Sequence, residues 1–296
     1  MNWQDIEQAI TDATGTTFVL DKHGSIGGGC INTAMKISGG GREFFLKLND
    51  ARLLAMFEAE ADGLRELAAA EGVRVPLPVC TGLSGKQAFI VMEYLRLDGH
   101  AGAAGMARFG EQLAQMHRYT AQQFGWHREN TIGSTPQVND WMPDWIAFWR
   151  EQRLGFQLRL AAGHGLGSRV VHKGEQLQQA LPAFFSGHQP QASVLHGDLW
   201  SGNYGISHTG EPVIFDPAVY FGDREADLAM TELFGGFGRE FYAGYAGAWP
   251  LDTGYPQRKT LYNLYHILNH FNLFGGGYAA QAEGMIDRLL SDVRSG

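Results

Sequence analysis

His196-Gly197-Asp198-Leu199-Trp200-Ser201-Gly202-Asn203 follows the apolar pair Val194-Leu195, and a second apolar run, Val213-Ile214-Phe215, leads into Asp216-Pro217. Each run suits a short buried strand, and each delivers an aspartate at its end. Asp198 and Asn203 stand in the pattern D-x-x-x-x-N. A carboxylate placed there can take the proton of an attacking hydroxyl. The Asn203 amide oxygen and the Asp216 carboxylate suit magnesium, a hard cation that prefers oxygen. An isolated aspartate after a strand is more often a helix cap. Two of them, each behind an apolar strand and with His196 and Asn203 alongside, are better explained by a site.

Upstream, Lys47 sits inside the apolar strand Phe44-Phe45-Leu46-Lys47-Leu48. A lysine amid such residues needs a partner or a path to water. Ala51 to Ala70, rich in Ala, Leu and Glu, reads as a helix. Leu53, Phe57, Leu64 and Leu67 form its apolar ridge; Glu60 falls on that ridge and Glu58 on its flank. A glutamate on a buried ridge wants a cation, so Lys47 is expected to pair with Glu60. In kinases such a pair holds the α- and β-phosphates of ATP, and D-x-x-x-x-N is the spacing of the catalytic loop. Ahead of Lys47, Ser25-Ile26-Gly27-Gly28-Gly29-Cys30-Ile31-Asn32 is a candidate phosphate loop. It does not match G-x-G-x-x-G, and its value lies in its position between two strands, where bare N–H groups can approach phosphates.

The surrounding chain has 296 residues with a net charge of −8, which argues against a broad nucleic-acid surface. Two cysteines, Cys30 and Cys80, are too few for a disulfide framework or a four-cysteine zinc site. The polar start is not that of a signal peptide, and no apolar run suits a membrane span. A cytoplasmic protein without nucleic-acid or membrane partners is expected. The order is strand-rich up to Ala88–Leu95, with one inserted helix. After Leu97-Asp98-Gly99 it becomes mainly helical, over Gly105–Tyr119, Asp144–Ala162, Arg169–Phe185, Leu261–Leu273 and Ala279–Val293. An α+β, bilobal architecture follows: a β-rich nucleotide-binding lobe over residues 1–96 and a larger helical lobe, catalytic and substrate-binding, over 97–296.

The chain resembles the fructosamine kinase (ketosamine-3-kinase) family, of the aminoglycoside-phosphotransferase and protein-kinase-like fold. The glycine loop, Phe44–Lys47, Met56–Glu60, Met92-Glu93-Tyr94-Leu95, His196–Asn203, Phe215-Asp216-Pro217, Phe221–Met230 and Leu268–Gly275 carry the resemblance. It implies Asp198 as catalytic base, Asn203 and Asp216 as Mg2+ ligands, and Lys47 with Glu60 as anchor of the ATP phosphates. Gly27, Gly28 and Gly29 would close over those phosphates, and Met92, Glu93, Tyr94 and Leu95 would form the hinge that meets adenine. The implied reaction phosphorylates the sugar 3-hydroxyl of free or protein-bound ketosamines, a step in deglycation repair. Gly197 replaces the arginine that reads a phosphorylated activation loop in protein kinases, Asp216-Pro217 replaces D-F-G, and no A-P-E segment follows. A small-molecule acceptor is therefore expected.

Weaker signals surround the motif. Trp200 suits a sugar face equally with a place in the core. Asp223 is a candidate for a substrate amine, whereas Asp227 reads as a cap and a support for the catalytic loop. Asn269 and His270 are candidates for the substrate cleft, against the plainer reading as core residues. Trp141, Trp145 and Trp149 recur at helical spacing and read as core. Cys30, beside Lys47 and three glycines, is a candidate redox switch that links two chains into a homodimer; otherwise a monomer is expected. The competing functions are another small-molecule kinase of the same fold, acting on an aminoglycoside, choline or homoserine, or a non-catalytic nucleotide-binding regulator. The complete set Lys47, Glu60, Asp198, Asn203 and Asp216 argues against the regulator.

Overall fold

The computed structural model describes residues 1–27 and 32–295. After helix α1 (Trp3–Thr14) the chain builds an antiparallel sheet from β1 (Lys22–Ser25), β2 (Thr33–Gly39), β3 (Arg42–Asp50), β4 (Pro78–Ser84) and β5 (Gln87–Glu93), in the order β1-β2-β3-β5-β4. A short 3-10 turn leads into α2 (Leu54–Ala69), which lies between β3 and β4 in sequence. Side chains alternate between the two faces of a strand. Phe44, Leu46 and Leu48 of β3 therefore join Phe89 and Val91 of β5 under α1, in a cluster with Ile6 and Ile10. Ala88, Ile90 and Met92 point the other way and meet Phe57, Leu64 and Leu67 of α2. Lys47 shares that second face. Phe18–Leu20 forms no strand and is tied to α1: Phe18 N–H donates to Thr11 Oγ1 at 2.9 Å and Leu20 N–H to Glu7 Oε1 at 2.8 Å.

The rest is mainly helical: α3 (Gly102–Met116), α4 (Trp145–Phe148), a π-helical turn (Trp149–Leu154), α5 (Gly155–Gly163), α6 (Ser168–Ala180), α7 (Glu225–Leu233), α8 (Arg239–Ala248), α9 (Tyr255–Phe274) and α10 (Tyr278–Ser295). A small hairpin, β6 (Asn130–Ile132) with β7 (Thr135–Gln137), precedes α4. α9 is buried over most of its surface, from Leu261 to Asn269. One apolar core runs from the inner face of the sheet through α2 into these helices.

Four short strands position the two motifs. β8 (Ser193–Leu195) pairs antiparallel with β11 (Tyr220–Gly222), and β9 (Tyr204–Ile206) with β10 (Pro212–Ile214). The loop of residues 196–203 joins β8 to β9, and the loop carrying Asp216 joins β10 to β11. Backbone hydrogen bonds sew the two loops together: Phe215 N–H to Asn203 O at 3.0 Å and Ala218 N–H to His196 O at 2.8 Å. Among the described residues no helix is long and apolar enough to cross a membrane.

Candidate active site

Lys47 is almost fully buried, and its ammonium donates to Glu60 Oε1 at 2.6 Å and to Asp216 Oδ1. The pairing expected from the α2 ridge is present, and Glu58 lies on the flank, 3.6 Å from Arg128. Burial alone would lower the Lys47 pKa; the two carboxylates outweigh it and hold the ammonium charged well above its ordinary range. Asp216 is half-exposed and adopts a left-handed backbone with φ of 58°. Aspartate tolerates that conformation better than most residues, and the carboxylate is thereby turned toward Lys47.

Asp198 is half-buried on the loop between β8 and β9. Asn203 Nδ2 donates to its Oδ2 at 3.1 Å and to its backbone carbonyl at 2.8 Å. The amide oxygen of Asn203 is thus the atom of that side chain suited to a cation. Desolvation raises the Asp198 pKa to about 7; the Asn203 hydrogen bond opposes the rise, and the negative charges of Asp216 and Asp227 add to it. Such a carboxyl is poised to exchange a proton near neutral pH.

Behind the loop lies the fully buried Asp227 of α7. Its Oδ2 accepts from the His196 N–H at 2.7 Å and its Oδ1 from the Gly197 N–H at 2.8 Å. His117 Nε2 lies 3.2 Å from the same carboxylate, and its Nδ1 lies 2.8 Å from the Tyr245 hydroxyl. Burial would raise the Asp227 pKa, but these donors more than offset it and hold the carboxyl below its ordinary value. His196 accepts from the Asp198 N–H through Nδ1 at 3.2 Å, while its Nε2 lies 2.9 Å from Phe215 O. Gly197 has φ of 82°, and a Cβ there would lie 2.0 Å from Ala218 O. Only glycine fits, which gives the departure from the protein-kinase arginine a steric reason.

The other candidates divide. Trp200 is 36% exposed, folded over Gly202 and edge-on to Phe234 at 6.1 Å, so it is not a core tryptophan. His270 is half-buried, its ring 5.0 Å from that of Phe234. Asp223 is a correction: it is buried and its oxygens are engaged inside the protein, by the Tyr262 hydroxyl at 2.6 Å, His188 Nε2 at 2.8 Å and the Glu225 N–H at 3.1 Å, so it does not face a substrate amine. Asn269 is a second correction, buried and bonded to Gln157 at 3.2 Å and Ile132 O at 3.4 Å. Met92 and Glu93 end β5, with Tyr94 and Leu95 just beyond it. The Glu93 side chain accepts from Arg74 Nη2 at 2.6 Å and its N–H donates to Leu77 O at 2.9 Å, so Glu93 fastens the segment. Gly27 is exposed past the end of β1; Gly28, Gly29 and Cys30 lie outside the described residues. Burial pushes the Cys80 thiol up to about 12, as expected of an inert cysteine.

The fructosamine kinase model matches residues 2–292. This chain belongs to the fructosamine kinase family. A Synechocystis protein named a probable ketoamine kinase is 48% identical over 97% of each chain. The chloroplastic protein-ribulosamine 3-kinase of Arabidopsis thaliana is 43% identical over 98% of this chain and 88% of its own. A crystal structure from Haemophilus somnus, described as a candidate fructosamine-3-kinase, superposes with a TM-score of 0.88 at 30% identity over 97% of each chain. A thermostable mutant of the aminoglycoside phosphotransferase APH(4)-Ia superposes with a TM-score of 0.61 at 17% identity, covering 99% of this chain and 98% of its own, which shows the shared fold.

Sequence reading missed the anchoring by His117, 110 positions before Asp227, and by Tyr245, 128 positions after His117, because no local pattern marks it. It also passed over Arg153, fully buried, whose guanidinium donates to Val138 O at 2.6 Å and Asn139 Oδ1 at 2.7 Å and lies 4.0 Å from the Tyr220 ring centre. That arginine braces β11 beside the loop bearing Asp216. Its setting among aromatic residues could have flagged it.

Proposed function

We propose that this protein transfers the terminal phosphoryl group of ATP to the 3-hydroxyl of a ketosamine, with Asp198 as the base. The observation that carries this reading is the convergence of Lys47, Glu60 and Asp216 beside the loop that holds Asp198 and Asn203. Asp198 accepts the proton as the acceptor hydroxyl attacks phosphorus, and Asn203 holds the carboxylate in place through Nδ2. Lys47, kept charged and oriented by Glu60, neutralises the phosphates. The Asn203 oxygen and the half-exposed Asp216 carboxylate, both oxygen donors, fit Mg2+; bound there, it would supply positive charge to the phosphate oxygens. Residues 1–96, with the backbone of Met92–Leu95 as hinge, are read as the nucleotide-binding lobe and 97–296 as the catalytic lobe. Trp200 and His270 are read as facing the sugar. The APH-like fold leaves the aminoglycoside alternative to a direct test. Purified protein is given ATP, Mg2+ and, separately, a ribulosamine, a fructosamine and kanamycin. Phosphate is expected on the sugar 3-hydroxyl of a ketosamine by 31P–1H NMR, and phosphorylation of kanamycin instead would move the protein to the alternative.

A further inference from the structure

The residues just ahead of β6 grip the outer face of α2. Arg128 Nη1 donates to Asp62 Oδ2 at 2.5 Å, while its Nη2 donates to Ala55 O at 3.4 Å and lies 3.6 Å from Glu58 Oε2. Trp126 is buried, and its Nε1 donates to Glu66 Oε2 at 3.2 Å. Glu58, Asp62 and Glu66 recur every fourth residue, so their side chains line one face of the helix. Glu60 lies midway between Glu58 and Asp62 in sequence, which puts it roughly 200° round the helix from either. On that opposite face it meets Lys47. Arg128 therefore holds α2 from behind Glu60.

The grip has a firm base. Asn139 Nδ2 donates to the Arg128 carbonyl at 3.1 Å, and its Oδ1 accepts from the fully buried Arg153 at 2.7 Å. Asn130 Nδ2 donates to Val219 O at 2.8 Å, and Gln137 Nε2 donates to Ala218 O at 3.0 Å. Those two carbonyls belong to the loop that carries Asp216. The hairpin of β6 and β7 thus joins the supports of both carboxylates that share the Lys47 ammonium. A Cβ on Gly63 of α2 would lie 3.0 Å from Val219 Cγ2, so the helix already packs closely on the same loop.

We infer that Arg128 is a positioning residue of the phosphate anchor: it fixes α2 against the hairpin and so keeps Glu60 on Lys47. The inference rests on the proposed role of that pair in binding ATP. In protein kinases the placement of the corresponding helix is controlled by phosphorylation of an activation loop. This chain has no A-P-E segment, and the grip of Arg128 supplies the placement from within. Arg128 and its carboxylate partners are partly exposed, so their ion pairs add little to global stability. A shift of about 1 Å in a binding group, by contrast, can cost up to about 10²-fold in function. Loss of Arg128 should therefore fall on the nucleotide rather than on unfolding.

A double-mutant cycle, read by calorimetric titration with ATP and Mg2+, tests this. Arg128→Gln is expected to weaken ATP binding about tenfold, with a denaturant midpoint close to wild type. Arg128→Lys keeps the charge but not the planar fork and should recover part of the loss. Glu60→Gln weakens binding by itself, and in that background Arg128→Gln should add less than about twofold, because the group it positions is already gone. A further tenfold loss in the Glu60→Gln background, or wild-type affinity in Arg128→Gln, would overturn the inference. Hydrogen exchange of the α2 amides without nucleotide separates it from the reading on which it rests. Exchange should quicken in Arg128→Gln. If it does while the wild type binds no ATP, the hold on α2 stands and the kinase reading fails. Unchanged exchange would overturn the hold whatever the nucleotide does.

Discussion

Asp198 and Asp227 lie on opposite faces of the loop at residues 196–203. Asp198 is half-buried and Asp227 fully buried, yet the first has its pKa pushed up to about 7 and the second has it held below the ordinary value. The difference is the donors. Asp198 on the cleft face receives one side-chain amide, from Asn203, and feels the negative charges of Asp216 and Asp227. Asp227 at the back receives two backbone N–H groups and His117. Burial disfavours a carboxylate, and the count and charge of its partners decide whether that cost is recovered. One face is thus kept reactive by under-satisfaction and the other kept rigid by full satisfaction.

The linkage signs differ accordingly. A raised pKa means the folded state holds the Asp198 proton more tightly than the unfolded chain does, so this group erodes stability as pH rises from about 3.8 to about 7. The Asp227 contribution is present above its ordinary value and is lost as pH falls through its depressed folded value. Asp198→Asn is the largest expected effect: turnover should drop ~10²–10⁴-fold, with nucleotide binding kept and a melting temperature at neutral pH no lower than wild type. A clear fall in melting temperature would erase the contrast between the two faces. Asp227→Ala should lower stability as well as turnover. It strands the His196 and Gly197 N–H groups at about 1–3 kcal/mol each, seen as a lower denaturant midpoint, with turnover falling as the loop loosens. Gly197→Ala should cost less, on the order of 1–3 kcal/mol in the same unfolding measurement, because it strains one backbone position against Ala218 O and leaves the anchors in place. A stability equal to wild type would mean that the loop can shift and is not held by Asp227.

Much of the site is legible in the sequence. Val194-Leu195 and Val213-Ile214 are short apolar runs that must be buried, and the aspartates at their ends were placed by that alone. Glu60 stood on an apolar ridge, and its search for a cation led to Lys47. Strand partners were not legible: β8 pairs with β11 across the intervening hairpin of β9 and β10, and two-residue apolar runs carry no register information. Asp223 and Asp227 look alike in the run Asp223–Asp227, but Asp223 precedes α7 and turns into the His188 and Tyr262 contacts, while Asp227 sits on the helix face toward the loop. The tryptophan series broke for a local reason. Asp144 caps α4 by accepting from the Ala147 N–H at 2.7 Å, so Trp145 and Trp149 enter the core while Trp141, ahead of the cap, is 42% exposed.

The pH dependence of kcat/KM for a ribulosamine, from pH 5 to 9 in wild type and Asp198→Asn, tests the central claim most directly. The wild type should show an acid limb with an apparent pKa near 7, because only the ionised Asp198 accepts the hydroxyl proton. Below it the rate should fall about tenfold per pH unit. The residual rate of Asp198→Asn should lack that limb. The same limb in both proteins, or a wild-type profile flat through pH 7, would contradict Asp198 as the base.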